Sequence, residues 1–203
     1  APPMLGAQDA HQEASGAFTG EVSLPMLEDC GVEWVLVGHS ERRHVIGESN
    51  DIVREKLHAA LNAGFSVILC TGELKEERES SRQLEVNRAQ LAHALEGLPA
   101  AALSRLVIAY EPVWAIGTGL TATPEDAQEV HADLRAALAE HYDRSVADAV
   151  RIQYGGSVKP ANAAELFAKP DVDGFLVGGA SLKSADFLDI INAVTAAKAE
   201  GQA

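Results

Sequence analysis

The sequence predicts an α/β fold on parallel strands. Short, continuously apolar runs alternate with longer amphipathic stretches, no hairpin signal is sustained, and no polar linker interrupts the series. A run that is apolar at every position, rather than at every second one, is a strand buried on both faces, as parallel strands are. Two architectures fit this alternation, an open doubly wound sheet and a (β/α)8 barrel. The absence of a linker predicts one domain over residues 1–203.

Taken in order, the predicted strands are Trp34–Val37, Val67–Cys70, Leu106–Tyr110, Arg151–Tyr154 and Gly174–Val177, with Met4–Gln8 a possible sixth ahead of them. The helices between them have readable ends. After Ser49, the residues Val53, Leu57, Ala60 and Leu61 form one stripe, stopped by Gly64. Leu84, Leu91, Leu95 and Leu98 form a second stripe. Thr123-Pro124-Glu125-Asp126 is a helix start, with Thr as cap, Pro at the first position and Asp reaching back. Ala127, Val130, Leu134 and Leu138 then share a face. The last helix starts at Ser184 and is expected to bury Phe187, Ile190, Ile191 and Val194.

Composition narrows the function. The chain has 203 residues, 47% of them hydrophobic, enough for a sizeable core and unlike a disordered or collagenous chain. Its net charge of −14 repels phosphate backbones, so nucleic acid is not an expected partner. Any site for a small anion must be made locally, from backbone N–H groups and helix ends. No apolar run approaches the roughly 20 residues of a membrane span. Cys30 and Cys70 form neither a disulfide framework nor a zinc quartet; they read as two buried structural thiols in a reducing cytoplasm.

In either architecture, chemistry gathers at the C-terminal ends of the strands. There the sequence places Gly38-His39-Ser40-Glu41-Arg42-Arg43, Thr71-Gly72-Glu73, Glu111-Pro112-Val113-Trp114, Gly155-Gly156-Ser157 and Gly178-Gly179-Ala180-Ser181. A His at one strand mouth and a Glu at another can converge on one substrate. A carboxylate can take a proton next to a carbonyl, and a neutral imidazole can donate to that carbonyl and stabilise the enediolate. Pro112–Gly119 has the composition of a lid, stiff at Pro-Trp and permissive at Gly117-Thr118-Gly119. The paired glycines let backbone N–H groups approach a phosphate. Each feature also has a structural reading: a packed His, a Glu in an ion pair, an ordinary loop, a tight turn.

With these residues in view, the chain resembles the triosephosphate isomerase family. The resemblance is carried by Gly16-Ala17-Phe18-Thr19-Gly20-Glu21, Gly38–Arg43, Ala109–Gly119, Tyr154-Gly155-Gly156-Ser157-Val158 and Asp173–Leu182, in order along nearly the whole chain. It implies a homodimeric (β/α)8 TIM barrel that interconverts dihydroxyacetone phosphate and glyceraldehyde 3-phosphate without cofactor or metal. The family is itself a standard worked example of a Glu base, a neutral His electrophile and a closing loop. By resemblance, Glu111 is the base and His39 the electrophile, kept neutral by the helix N-terminus after it. Glu41 matches a buried carboxylate near the catalytic lysine. Gly117, Ser157, Gly178 and Gly179 match phosphate-binding positions. Gly16, Phe18 and Thr19 lie in the Gly16–Glu21 stretch, which matches the family's loop that enters the partner subunit, and Gln8 and Asp9 match the start of that loop.

The sequence also departs from the family. No Asn-x-Lys motif of the family's first strand is present, since Asn50, Asn62, Asn87, Asn162 and Asn192 are followed two places on by Ile52, Gly64, Ala89, Ala164 and Val194. Leu120 stands where Lys is usual and Thr71 where Ile is usual. Six strands are counted against eight, and Ala1-Pro2-Pro3 resembles the end of the second strand with no helix before the third. The expectation is a barrel that is N-terminally incomplete in this sequence, and low stability and turnover if the polypeptide is no longer than this. Two other readings stand beside the isomerase: another phosphosugar-binding barrel enzyme, and a catalytically impaired or non-catalytic barrel that binds a phosphate ligand.

Overall fold

The computed structural model describes residues 3–116 and 120–201. Among them six strands form one parallel sheet in sequence order: β1 (Gly6–Ala7), β2 (Trp34–Val37), β3 (Ser66–Thr71), β4 (Leu106–Tyr110), β5 (Arg151–Tyr154) and β6 (Gly174–Phe175). The helices are α1 (Leu24–Asp29), α2 (Asn50–Asn62), α3 (Lys75–Glu79), α4 (Gln83–Leu95), α5 (Pro124–His141), α6 (Arg144–Ala149), α7 (Pro160–Phe167) and α8 (Ser184–Gly201). Strand after strand in chain order, with helices in each crossover, is the wall of a (β/α) barrel rather than a doubly wound sheet, whose order reverses. Among the described residues the wall does not close: β1 and β6 are its two edges.

Register decides what meets at the rim. Val37 is level with Leu69, Thr71 with Tyr110, and Tyr110 with Tyr154. The residues that follow each strand therefore open at one end of the sheet. The core lies between sheet and helices, where Leu57, Leu61, Leu91, Leu95, Leu134 and Leu138 meet Val35, Val67, Leu69, Ile108 and Ile152, all essentially inaccessible. Each such leucine contributes roughly 2 kcal/mol by leaving water. No described helix is long and apolar enough to cross a membrane.

The helix starts follow the sequence closely. Ser49 Oγ accepts from Ile52 N at 3.3 Å ahead of α2. At α5, Thr123 Oγ1 accepts from Asp126 N at 3.1 Å, and Asp126 returns the bond from Thr123 N at 2.9 Å. Three expectations are corrected. The last strand is Gly174–Phe175, shorter than Gly174–Val177, because it is an edge with no outer neighbour to continue the ladder. Of the four residues expected to be buried on α8, Ile190 is buried, Phe187 and Ile191 are exposed and Val194 is half-buried. That helix packs against α7, and among the described residues no strand beyond β6 covers the rest of its apolar face. Cys30, at the end of α1, is exposed, whereas Cys70 in β3 is buried.

Behind β4 and β5, α5 carries a buried histidine. His131 Nδ1 lies 3.0 Å from Asp171 O, so Nδ1 carries the proton, and Nε2 has no partner among the described residues. Burial pushes the ring down to about 4. The unfolded chain takes up this proton below about 6.5, the folded one only below about 4, so stability falls as pH drops across that window, by about 3 kcal/mol at its foot. Glu73 and Glu111, whose carboxyls burial pushes up, act in the opposite sense. The readout is thus the difference between parent and His131→Gln in urea unfolding at pH 7 and pH 4.5. The variant is expected to lose less on acidification; an equal loss in both would remove His131 from the account.

Candidate active site

The turn after β2 builds half of the site. Gly38 has φ +75°, and a Cβ there would lie 3.0 Å from Val53 and from the Arg43 guanidinium. Only glycine fits that conformation and that space. The chain then leaves the sheet, presents His39 and Ser40, and winds into a π-type turn over Arg42–Ile46 closed by Gly47.

β4 supplies the other half. Glu111 follows its last residue and is 1% exposed. Its backbone N–H donates to Thr71 O at 2.7 Å, which fixes where its side chain starts. Ser40 N donates to Glu111 Oε2 at 3.0 Å, Ser40 Oγ donates to Oε1 at 3.1 Å, and His39 Nε2 lies 3.1 Å from Oε1. Glu41 N donates to His39 Nδ1 at 3.3 Å, so in the neutral ring the proton sits on Nε2, facing the carboxylate. Burial pushes the Glu111 carboxyl above the usual carboxylate range; His39, the Ser40 N–H, the Cys70 thiol and the Ser40 hydroxyl oppose that shift.

Two glycines let this carboxylate sit so deep. A Cβ on Gly72 would come within 1.9 Å of Glu111 O, and one on Gly155 within 2.9 Å of Glu111 Cγ. Beside the pair, a second buried carboxylate, Glu73, accepts from Tyr110 OH at 2.9 Å, Trp114 Nε1 at 2.7 Å and Asn87 Nδ2 at 2.9 Å. It anchors the start of the segment read as a lid. Of that segment, Gly117, Thr118 and Gly119 lie outside the described residues, and with them the Gly117 phosphate position.

A cavity of about 440 Å³ opens over this rim. His39, Glu41, Glu111, Ser157, Gly178 and Gly179, read from the sequence as catalytic or phosphate-binding, all line it from the ends of β2, β4, β5 and β6, and Gln8, read as the start of the partner-entering loop, lines it after β1. Lys159, not singled out in the sequence, lines it too. Gly178 and Gly179 are exposed, and a Cβ on either would meet nothing within 4 Å, which leaves room for a ligand against the backbone. Asn162 Nδ2 donates to Ser157 O at 3.0 Å and holds the preceding loop to α7. Glu41 is corrected: it is exposed, not buried, on the turn after β2, beside edge strand β1, which has no outer neighbour among the described residues. Gly16, Phe18 and Thr19 stand apart on an exposed loop, where the Phe18 ring covers Gly16 and lies 4.1 Å from the His11 ring. Ser40, Cys70 and Glu73 were missed as site residues, because only contacts between strands distant in sequence give them a role.

The family profile described as Triosephosphate isomerase matches residues 2–194. The chain belongs to the triosephosphate isomerase family. Curated relatives agree, each covering about three quarters of the relative's own length. The chain is 57% identical over 187 residues to "Triosephosphate isomerase" of Herpetosiphon aurantiacus, covering 92% of this chain and 75% of that protein. It is 55% identical over 190 residues to the Taenia solium protein of the same name, covering 93% and 76%. It is 56% identical over 191 residues to that of Chloroflexus aurantiacus, covering 94% and 76%. In triosephosphate isomerase terms the six strands are barrel wall, and the rim holding His39 and Glu111 is the C-terminal face where such barrels do their chemistry.

Proposed function

We propose that the chain interconverts dihydroxyacetone phosphate and D-glyceraldehyde 3-phosphate through an enediolate, with Glu111 as base and His39 as electrophile. The observation that carries this reading is the 3.1 Å approach of His39 Nε2 to Glu111 Oε1 at the floor of one cavity. The donor that now serves the carboxylate is the one a substrate carbonyl takes over. When substrate enters, the Nε2–H turns to its oxygen, and Oε1, freed of one donor, takes the proton from the neighbouring carbon. Delivered to the other carbon, that proton completes the isomerisation with no redox partner. The main chain at Ser157, Gly178 and Gly179 holds the phosphate, and Lys159 adds a cation to that side of the cavity in a chain of net charge −14. A coupled assay on the purified chain, with Glu111→Asp alongside, tests it. Turnover lost in the variant supports the isomerase; phosphate-ligand binding with no turnover in either protein supports the non-catalytic reading, which the exposed Glu41 favours.

The working unit in this reading is a homodimer in the cytoplasm. Phe18, on the loop after β1, and Val45 and Ile46, on the turn after β2, are large apolar side chains left 42%, 78% and 62% exposed. Such a group on an acidic chain fits a second copy better than water. Ile46→Asp is expected to shift light-scattering mass towards the monomer and to lower specific activity at nanomolar protein. An unchanged mass would remove this face from the interface.

A further inference from the structure

Arg43 lines neither the substrate cavity nor the acid–base pair, yet its guanidinium donates to three separate elements. Its Nε donates to Gly38 O at 2.8 Å, one terminal nitrogen to Cys70 O at 3.1 Å and the other to Asn50 Oδ1 at 2.6 Å. These three acceptors belong to the exit of β2, the end of β3 and the first residue of α2. We propose that Arg43 is a positioning residue for the isomerisation: its guanidinium clamps the turn that presents His39 and Ser40 to Glu111. This rests on the roles given above to His39 and Glu111.

The geometry is specific. Gly38 O is the carbonyl of the Gly38–His39 peptide, so the bond from Arg43 fixes the plane from which the imidazole departs. Gly38 has φ +75° and no side chain to restrain it. Cys70 O ties that plane to the neighbouring strand, whose thiol lies against Glu111. The planar fork spreads its donors over three nitrogen atoms and so reaches acceptors on three separate elements at once, whereas an ammonium offers its three donors from a single atom. Its charge also counts. Glu111, Cys70 and Glu48 face Arg43, while His39, Ser40, Cys70 and Arg43 itself face Glu111.

The test uses Arg43→Gln and Arg43→Lys in the intact chain, with Glu111→Gln as control. In Arg43→Gln, kcat is expected to fall about 100-fold, the cost of a misplacement near 1 Å. KM for the triose phosphate and inhibition by inorganic phosphate should stay within about threefold, since the phosphate loops are untouched. The acid limb of kcat/KM should move to higher pH as Glu111 loses a cation. Arg43→Lys should restore the acid limb but not kcat, because it returns the charge without the fork. Circular dichroism and urea unfolding give the folded fraction. A rate within threefold of the parent, or a rate loss that disappears on scaling to that fraction, overturns the proposal. If Arg43→Gln does not fold, Arg43→Lys decides alone: reduced kcat at unchanged KM supports the clamp, and parental kcat overturns it. Full activity in Glu111→Gln sinks the site reading instead. An inert Glu111→Gln with a normal Arg43→Gln sinks only the clamp.

Discussion

Replacing Glu111 with Gln should lower kcat by about 10²- to 10⁴-fold, the range a positioned general base supplies. The amide has nearly the carboxylate's shape. It can still accept from Ser40 N, which now reaches Oε2 at 3.0 Å, and so the fold should persist. What it cannot do is hold a proton between two carbons. KM should therefore change little, and the loss should appear in kcat and kcat/KM together. Stability should if anything rise, because a buried charge is removed. A coupled assay beside urea unfolding separates the two effects. Parental turnover in Glu111→Gln would refute the base assignment, whatever the unfolding curve shows.

The second large effect is expected from a single methyl group. In Gly72→Ala the new Cβ would sit 1.9 Å from Glu111 O and 2.9 Å from its carbonyl carbon, both backbone atoms that cannot swing aside. The mouths of β3 and β4 must part. Gly72 is also held on its other side, where its N–H donates to Gln90 Oε1 at 2.9 Å and its carbonyl accepts from Gln90 Nε2 at 3.0 Å. Overpacking of this kind costs about 1–3 kcal/mol of stability. Because the displaced atoms carry Glu111, and the next residue is the buried anchor Glu73, kcat should also fall by about 100-fold. Shifts in both unfolding midpoint and kcat are expected; a variant with parental values of both would show that the strand mouths yield freely.

Much of the wall was legible because local rules set it. β2 and β4 begin and end where continuous apolar runs do, β5 keeps the bounds Arg151–Tyr154 read from the sequence, and α2 and α5 start at the Ser49 and Thr123 caps. Those signals depend on burial period and capping chemistry within a few residues. The α8 stripe misled for the complementary reason: an amphipathic period shows which face could be buried, not whether a partner is there. Phe187 and Ile191 are exposed although they follow the same period as buried Ile190. Glu41 failed likewise, since its burial depends on what lies over the turn.

The site divides along the same line. The residue order alone determined which groups stand at strand ends, because a buried parallel strand must finish before a polar side chain can begin, and that places His39, Glu111, Ser157, Gly178 and Gly179 on one rim. Only the folded chain decided how they work. Ser40, 71 residues from Glu111, supplies two of the donors that hold its carboxylate, and Arg43 reaches 27 residues along the chain to Cys70 O. Hydrogen bonds of this kind depend on distances set by the pairing of neighbouring strands, and no period or motif in a linear chain encodes a distance between residues so far apart.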